Sequence, residues 1–217
     1  FCEAAAAVPY LSALGISDLY LSPIATARRG SEHGYDVGDP NAPDPVLGTS
    51  EALDALLNTV QEHGMGLLLD VVPNHLAADE QTNPWWRDVL ERGADSRFAH
   101  FFDIDWTPAR SSMIGKILLP ILAAPYGETL ASGQLQVVQE GGAWQLAYGD
   151  RRFPLVDLHG ADLSGINGAA GDDASFDSLH QLLEAQHYRL ADWRTASHEI
   201  NYRRFFNIEH LVSLRVD

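Results

Sequence analysis

Cysteine is almost missing from this 217-residue chain, with Cys2 the single example. One thiol excludes an internal disulfide framework and points to a reducing, cytoplasmic setting. A thiol nucleophile needs a neighbouring base and an orienting partner, and Cys2 stands at the very start of the chain. Long apolar runs are missing too. The longest, from Ile117 to Ala124, is interrupted by Pro120 and falls far short of the ~20 residues that a membrane span needs. Positive charge is scarce: 14 Lys and Arg stand against 30 Asp and Glu, a formal net charge of −16. That balance repels a phosphate backbone, which excludes nucleic acid as a partner and suits a neutral ligand. Nine histidines occur, but no HxH or HExxH spacing among them marks a metal site. A starting methionine is also lacking, and Asp217 breaks off in mid-pattern, so the chain reads as a fragment and the lack of a signal peptide excludes nothing.

What is present is an ordinary globular composition, 46% hydrophobic and 20% charged, with enough length for one large domain or a core with a substantial insertion. Ala6, Ala7, Tyr10, Leu11 and Leu14 recur at helical spacing from Glu3 to Leu14, and Gly15 supplies a stop. Ile16–Ser22 reads as a strand closed by Pro23, followed by a polar loop from Arg28 to Gly48. Ser50 can cap a second helix, Glu51–His63, with Leu53, Leu56, Leu57 and Val60 as its buried face. The apolar run Met65–Val72 suits a strand covered on both faces. Helix, strand, helix, strand with short links is the βα repeat of a parallel sheet, either a (β/α)8 barrel or a doubly wound sheet.

After Val72 that rhythm stops. Asn83-Pro84 starts a short helix that Gly93 ends. Residues 107–175 read as an irregular insertion with β-like pieces at Gln134–Val138 and Trp144–Tyr148, and a stronger helix is predicted from Phe176 to Trp193. The pattern is a barrel interrupted by a sizeable subdomain.

Two segments carry candidate chemistry. In DVVPNH, Asp70 lies in the strand's C-terminal half, with Asn74 and His75 just beyond. Ligand-binding loops converge at the C-terminal face of a parallel barrel, and a carboxylate within an apolar run is costly unless it is paired. In HGYDVGD, Tyr35 offers a flat face for a sugar ring, Asp36 can accept from hydroxyls, and Gly34 permits close backbone approach. A capping role for Asp70, a structural His75 and a plain surface turn around Tyr35 are the competing readings. Trp85, Trp86 and Trp106 are further candidate platforms, although tryptophan more often packs in a core.

Together these segments resemble the α-amylase superfamily, whose first signature region is matched by DVVPNH and whose preceding strand and loop by LYLSPI and HGYDV. The longer blocks VPYLSALGISDLYLSPI, NPWWRDVLERG, FFDIDW, LLEAQHYRLADWR and INYRRFF are similar to maltooligosyltrehalose synthases in particular. The resemblance implies an α/β fold: a partial (β/α)8 TIM barrel in residues 1–76, an inserted irregular α+β subdomain after the third barrel strand in 77–201, and a return to the barrel in 202–217. It implies a retaining mechanism built on two carboxyl groups that converts the reducing-end α-1,4 linkage of a maltooligosaccharide to an α,α-1,1 linkage. No position here matches the family's nucleophile or general acid, which are expected beyond Asp217, so the fragment alone should be inactive. The implied substrate-binding set is His33, Tyr35, Asp36, Asp70, Asn74 and His75: Asp70 orients the machinery, His75 contacts the reacting sugar, Asn74 holds the loop and Tyr35 stacks. No cofactor and no required metal are implied, and the pathway partner would be a maltooligosyltrehalose trehalohydrolase. One departure is Asn207, where the family usually has Asp. A metal-dependent hydrolase using His33, Asp36, Asp70 and His75, a plain α-glucan hydrolase and a non-catalytic glucan-binding module are the rival readings.

Overall fold

The computed structural model describes residues 1–156, 162–168, 173–206 and 208–215. Asn207 and Asp217 lie outside the described residues. The chain divides into two compact units, Phe1–Ala77 and Ala78–Asp217.

The first unit layers helices on a parallel strand pair. Its elements are α1 (Cys2–Ala13), β1 (Asp18–Leu21), β2 (Ala25–Ala27), β3 (Val37–Pro43), α2 (Ser50–Glu62), β4 (Gly66–Leu69) and β5 (His75–Ala77). β1 and β4 pair in parallel, Asp18 opposite Gly66 through Leu21 opposite Leu69, and parallel strands require a crossover such as α2. On α1, Ala4, Ala5, Val8 and Leu11 form one apolar stripe; on α2, Leu56 and Val60 do the same. These meet Met65, Leu19, Leu21 and Leu67 in a single core. The stripes follow the three-and-four-residue spacing that puts side chains on one helix face.

Several boundaries and faces differ from the sequence reading. The cap of α2 is Thr49, whose side chain accepts from the Ala52 N–H at 3.3 Å, and Leu57 is exposed on the outer face. β4 stops at Leu69, and Leu68, Leu69 and Val71 are exposed. Among the described residues, the helices cover one face of the pair, through Leu19, Leu21 and Leu67. The stretch read as an open loop holds an antiparallel ladder in which Ala27 of β2 faces Val37 of β3. Neither strand has strong alternation, which is why period counting passes over them.

The second unit comprises α3 (Pro84–Arg92), β6 (Ile117–Leu122), α4 (Tyr126–Ala131), β7 (Leu135–Glu140), β8 (Ala143–Tyr148), β9 (Arg151–Pro154), α5 (Asp173–Glu184), β10 (Tyr188–Asp192), α6 (Trp193–Ala196) and β11 (Leu211–Ser213). Asn83 caps α3 as read, its side chain accepting from the Trp85 and Trp86 N–H groups at 3.1 and 3.0 Å. β7, β8 and β9 form an antiparallel meander, so much of the described part of 107–175 is ordered. The helix predicted over Phe176–Trp193 ends at Glu184; Tyr188–Asp192 is instead a strand paired in parallel with Ile117–Leu122. Leu190 therefore packs as a strand residue, and Trp193 opens a separate short helix with its ring partly exposed. Residues from 202 onward belong with this unit: Tyr202 bridges Ile104, and Arg203 pairs with Asp103 at 3.3 Å. Glu80 is buried here, bound at 3.0 and 2.5 Å by the guanidinium of Arg151 on β9.

Candidate functional site

A strand's pleat sends alternate side chains to opposite faces. On β1, Leu19 and Leu21 pack into the helical core, so Tyr20 projects from the other face, in register with Leu68 of β4. Asp70 lies two residues past Leu68 and therefore shares that face. Its N–H donates to the Leu21 carbonyl at 3.0 Å, continuing the pairing by one bond. Tyr20 donates its hydroxyl to Asp70 Oδ2 at 2.6 Å. From the loop between β2 and β3, Tyr35 donates to the same oxygen at 2.7 Å.

These bonds set the protonation of all three groups. The two phenols hold the Asp70 carboxyl below its ordinary value. In return the carboxylate pushes Tyr20 up to about 12 and raises Tyr35. A hydrogen bond to the charged form favours that form, and donors beside an anion keep their protons.

His75, at the start of β5, is buried, and its Nε2 lies 3.1 Å from the Tyr35 carbonyl oxygen. Burial lowers its pKa, outweighing the Tyr35 carbonyl and nearby Asp36, which raise it. A neutral ring donates from Nε2 to that carbonyl. Nδ1 lies 2.8 Å from Asn74 Oδ1; with Nε2 donating, a neutral ring accepts at Nδ1 only when that carboxamide is turned to present its NH2. Asn74 is otherwise exposed.

The loop carrying Tyr35 is pinned from below. Gly34 has φ +75, and a Cβ there would stand 3.0 Å from the Pro23 carbonyl oxygen, so only glycine fits the turn without strain. The Gly34 N–H donates to Ser31 Oγ at 3.1 Å, and the Ser31 hydroxyl in turn donates to Asp36. Asp36 is buried and turned toward Ser31. His33 is exposed, its Nδ1 accepting from the Tyr35 N–H at 3.0 Å.

Of the six residues read from sequence, Tyr35, Asp70, Asn74 and His75 form one linked group. Asp36 and His33 sit beneath and beside it, bracing the loop. Tyr20 is the addition that sequence reading missed. Its only signal was strand parity: an aromatic hydroxyl between two core leucines on the strand before the motif. Among the described residues, no three His, Cys, Asp or Glu side chains gather where they could hold a metal ion. Beside Asp70 opens a cavity of about 330 Å³, walled largely by proline and aliphatic side chains, including Pro23, Ile24, Val37, Leu53 and Leu69.

The tryptophans are less open. Trp86 is fully buried, edge-on to Phe102 at 5.3 Å and Tyr202 at 5.4 Å, which makes it a core residue. Trp85 stacks on Phe98 and Phe101. Trp106 is half-buried.

The result is a carboxylate lined by two phenol hydroxyls, beside an open tyrosine face at the C-terminal ends of parallel strands. The family profile of the α-amylase catalytic domain matches residues 5–144. The chain belongs to the α-amylase family. A Mycobacterium tuberculosis (strain ATCC 25618 / H37Rv) protein named "Putative maltooligosyl trehalose synthase" is 40% identical over 216 residues, covering 99% of this chain and 24% of that protein. The solved maltooligosyltrehalose synthase of Arthrobacter ramosus is 38% identical with a TM-score of 0.73, over 99% of this chain and 25% of that one. The intracellular maltogenic amylase of Bacillus subtilis (strain 168) is 36% identical over 99 residues, 46% of this chain and 16% of its own. This α-amylase-family chain thus spans about a quarter of the length of the synthases it matches.

Proposed function

We propose that this segment supplies the sugar-holding wall of a retaining α-glucan enzyme. That enzyme converts the reducing-end α-1,4 linkage of a maltooligosaccharide into an α,α-1,1 linkage. The observation that carries the reading is the linked group of Tyr35, Asp70 and His75 at the ends of β1 and β4. It is supported by 40% identity, along nearly the whole chain, to a protein named for that synthase. In this reading the exposed face of Tyr35 stacks on a sugar ring, Asp70 stays ionised to accept hydrogen bonds, and neutral His75 fixes the loop and borders the reacting sugar. His33 and Asp36 support the loop, and Asn74 sets the His75 tautomer.

A retaining mechanism needs a nucleophilic carboxylate and an acid flanking the scissile bond. None of the six residues is given either role. In a protein of the relatives' length those groups would come from elsewhere in the chain, and this segment alone should turn nothing over. Rearrangement rather than hydrolysis requires that the released glucose be kept and water excluded until its anomeric hydroxyl attacks. The architecture we assign is the opening strands of a (β/α)8 barrel in residues 1–76, an insertion over 77–201 and a return from 202. A cytoplasmic location and a trehalohydrolase acting on the product complete the proposal.

A plain α-glucan hydrolase is the second reading, favoured by the match of 46% of this chain to a maltogenic amylase. Incubating the full-length protein with maltopentaose separates the two. Rearrangement removes reducing ends without releasing glucose. A protein that only releases reducing sugar is a hydrolase, and the first reading then fails.

A further inference from the structure

Tyr20 lies on the face of the strand pair opposite the helical core, beyond Leu19 and Leu21. Its recorded bond is the 2.6 Å donation to Asp70 Oδ2. Tyr35 donates to that same oxygen, while among the described residues no side chain donates to Oδ1. A carboxylate can accept about four hydrogen bonds over its two oxygens; here both phenols share Oδ2, and the Val71 N–H bonds the same carboxylate.

The two phenols also differ in footing. Tyr20 sits within a paired strand, whereas Tyr35 sits in a loop tied by the His75 bond to its carbonyl. The strand is the rigid end of a chain running Tyr20, Asp70, Tyr35, His75. We propose that Tyr20 is a positioning residue for glucan binding and transfer: its hydroxyl fixes the Asp70 carboxylate, and through it the Tyr35 ring, so that the Tyr35 face is held in place for a sugar. This rests on the glucan-enzyme reading above. Its ligand is a pyranose ring, whose apolar face suits the exposed Tyr35 ring.

The test uses the full-length protein with Tyr20→Phe, Tyr20→Ala, Tyr35→Phe and the double variant Tyr20→Phe/Tyr35→Phe, each checked for unchanged melting. With maltopentaose, Tyr20→Phe should lose about tenfold in kcat/KM, the scale of one hydrogen bond to a charged group. The loss should fall mainly on kcat, since the ring that touches the sugar is still there. The double variant should lose less than the product of the single losses, because both hydroxyls act on one oxygen. Wild-type turnover in Tyr20→Phe with a loss only in Tyr20→Ala would make Tyr20 a stacking ring and overturn the proposal; multiplicative losses would overturn it too. A wild-type protein that does not rearrange maltopentaose would sink the functional reading instead. The positioning claim would then be decided by NMR titration of the Asp70 carboxyl, which should move up in Tyr20→Phe; an unmoved titration refutes it.

Discussion

His75 and Tyr35, 40 residues apart in the chain, are joined by a 3.1 Å contact from the imidazole Nε2 to the tyrosine carbonyl oxygen. The bond ties the start of β5 to the loop that presents the aromatic face. The motif histidine therefore has a structural duty whatever it also does to a sugar. His75→Ala should leave that carbonyl without its imidazole donor and lower stability by about 1–3 kcal/mol, the cost of an unmade buried hydrogen bond. Glucan affinity should fall with it. Urea unfolding and calorimetric titration with maltopentaose read the two effects; unchanged stability would remove the bracing role.

The same histidine gives a pH dependence with a definite sign. Burial lowers its pKa in the fold, so the unfolded chain binds the proton more readily. Its contribution is complete above the unfolded value of about 6.5 and is lost as pH falls through the folded value. The urea midpoint should therefore drop between pH 8 and pH 5, and His75→Gln should flatten that part of the profile. An identical slope in the variant would assign the loss to other groups.

At the alkaline end the sign reverses. Tyr20 is raised to about 12 by the Asp70 carboxylate. Its contribution is present below the unfolded tyrosine value of about 10 and is lost as pH rises through about 12. Spectrophotometric titration should show late-ionising phenols, and Asp70→Asn should bring them back toward the ordinary range. Phenols that already ionise near 10 in the unaltered protein would contradict the hydrogen bonds described.

Gly34 and Gly30 permit a matched comparison within one loop. Both have positive φ, +75 and +81, but a Cβ at Gly34 would stand 3.0 Å from the Pro23 carbonyl oxygen while one at Gly30 meets nothing within 4 Å. Gly30→Ala should cost only the left-handed strain of about 1–2 kcal/mol. Gly34→Ala should cost more and should also weaken maltopentaose binding, because the displaced segment carries Tyr35. Equal effects on binding would mean that the close approach to Pro23 does not position the site.

The buried pair in the second unit makes a prediction independent of sugar chemistry. Glu80→Ala strands the Arg151 guanidinium, which now binds it at 3.0 and 2.5 Å. Breaking a buried pair on one side costs about 3–5 kcal/mol. Replacing both partners by apolar residues should recover much of that loss. Denaturant unfolding of the two variants measures it.

Local chemistry determined by itself the pieces whose causes lie within a few residues. The Asn83-Pro84 start of α3, Leu56 and Val60 on the buried face of α2, and the paired β1 and β4 read correctly, because capping, helical period and apolar runs are properties of short windows. The gathering of Tyr35, Asp70 and His75 was legible in the same way, from polar residues clustered after consecutive strands. Tertiary structure decided the rest. Tyr188–Asp192 looks like the end of a helix until Ile117–Leu122 offers it a ladder, and pairing with a distant strand is invisible to a local window. Trp86 could stack on a sugar until Phe102 and Tyr202 close around it. Asp36 faces Ser31 and Tyr20 reaches Asp70 for the same reason: which way a side chain points depends on which face the helices cover, and only the packed chain sets that.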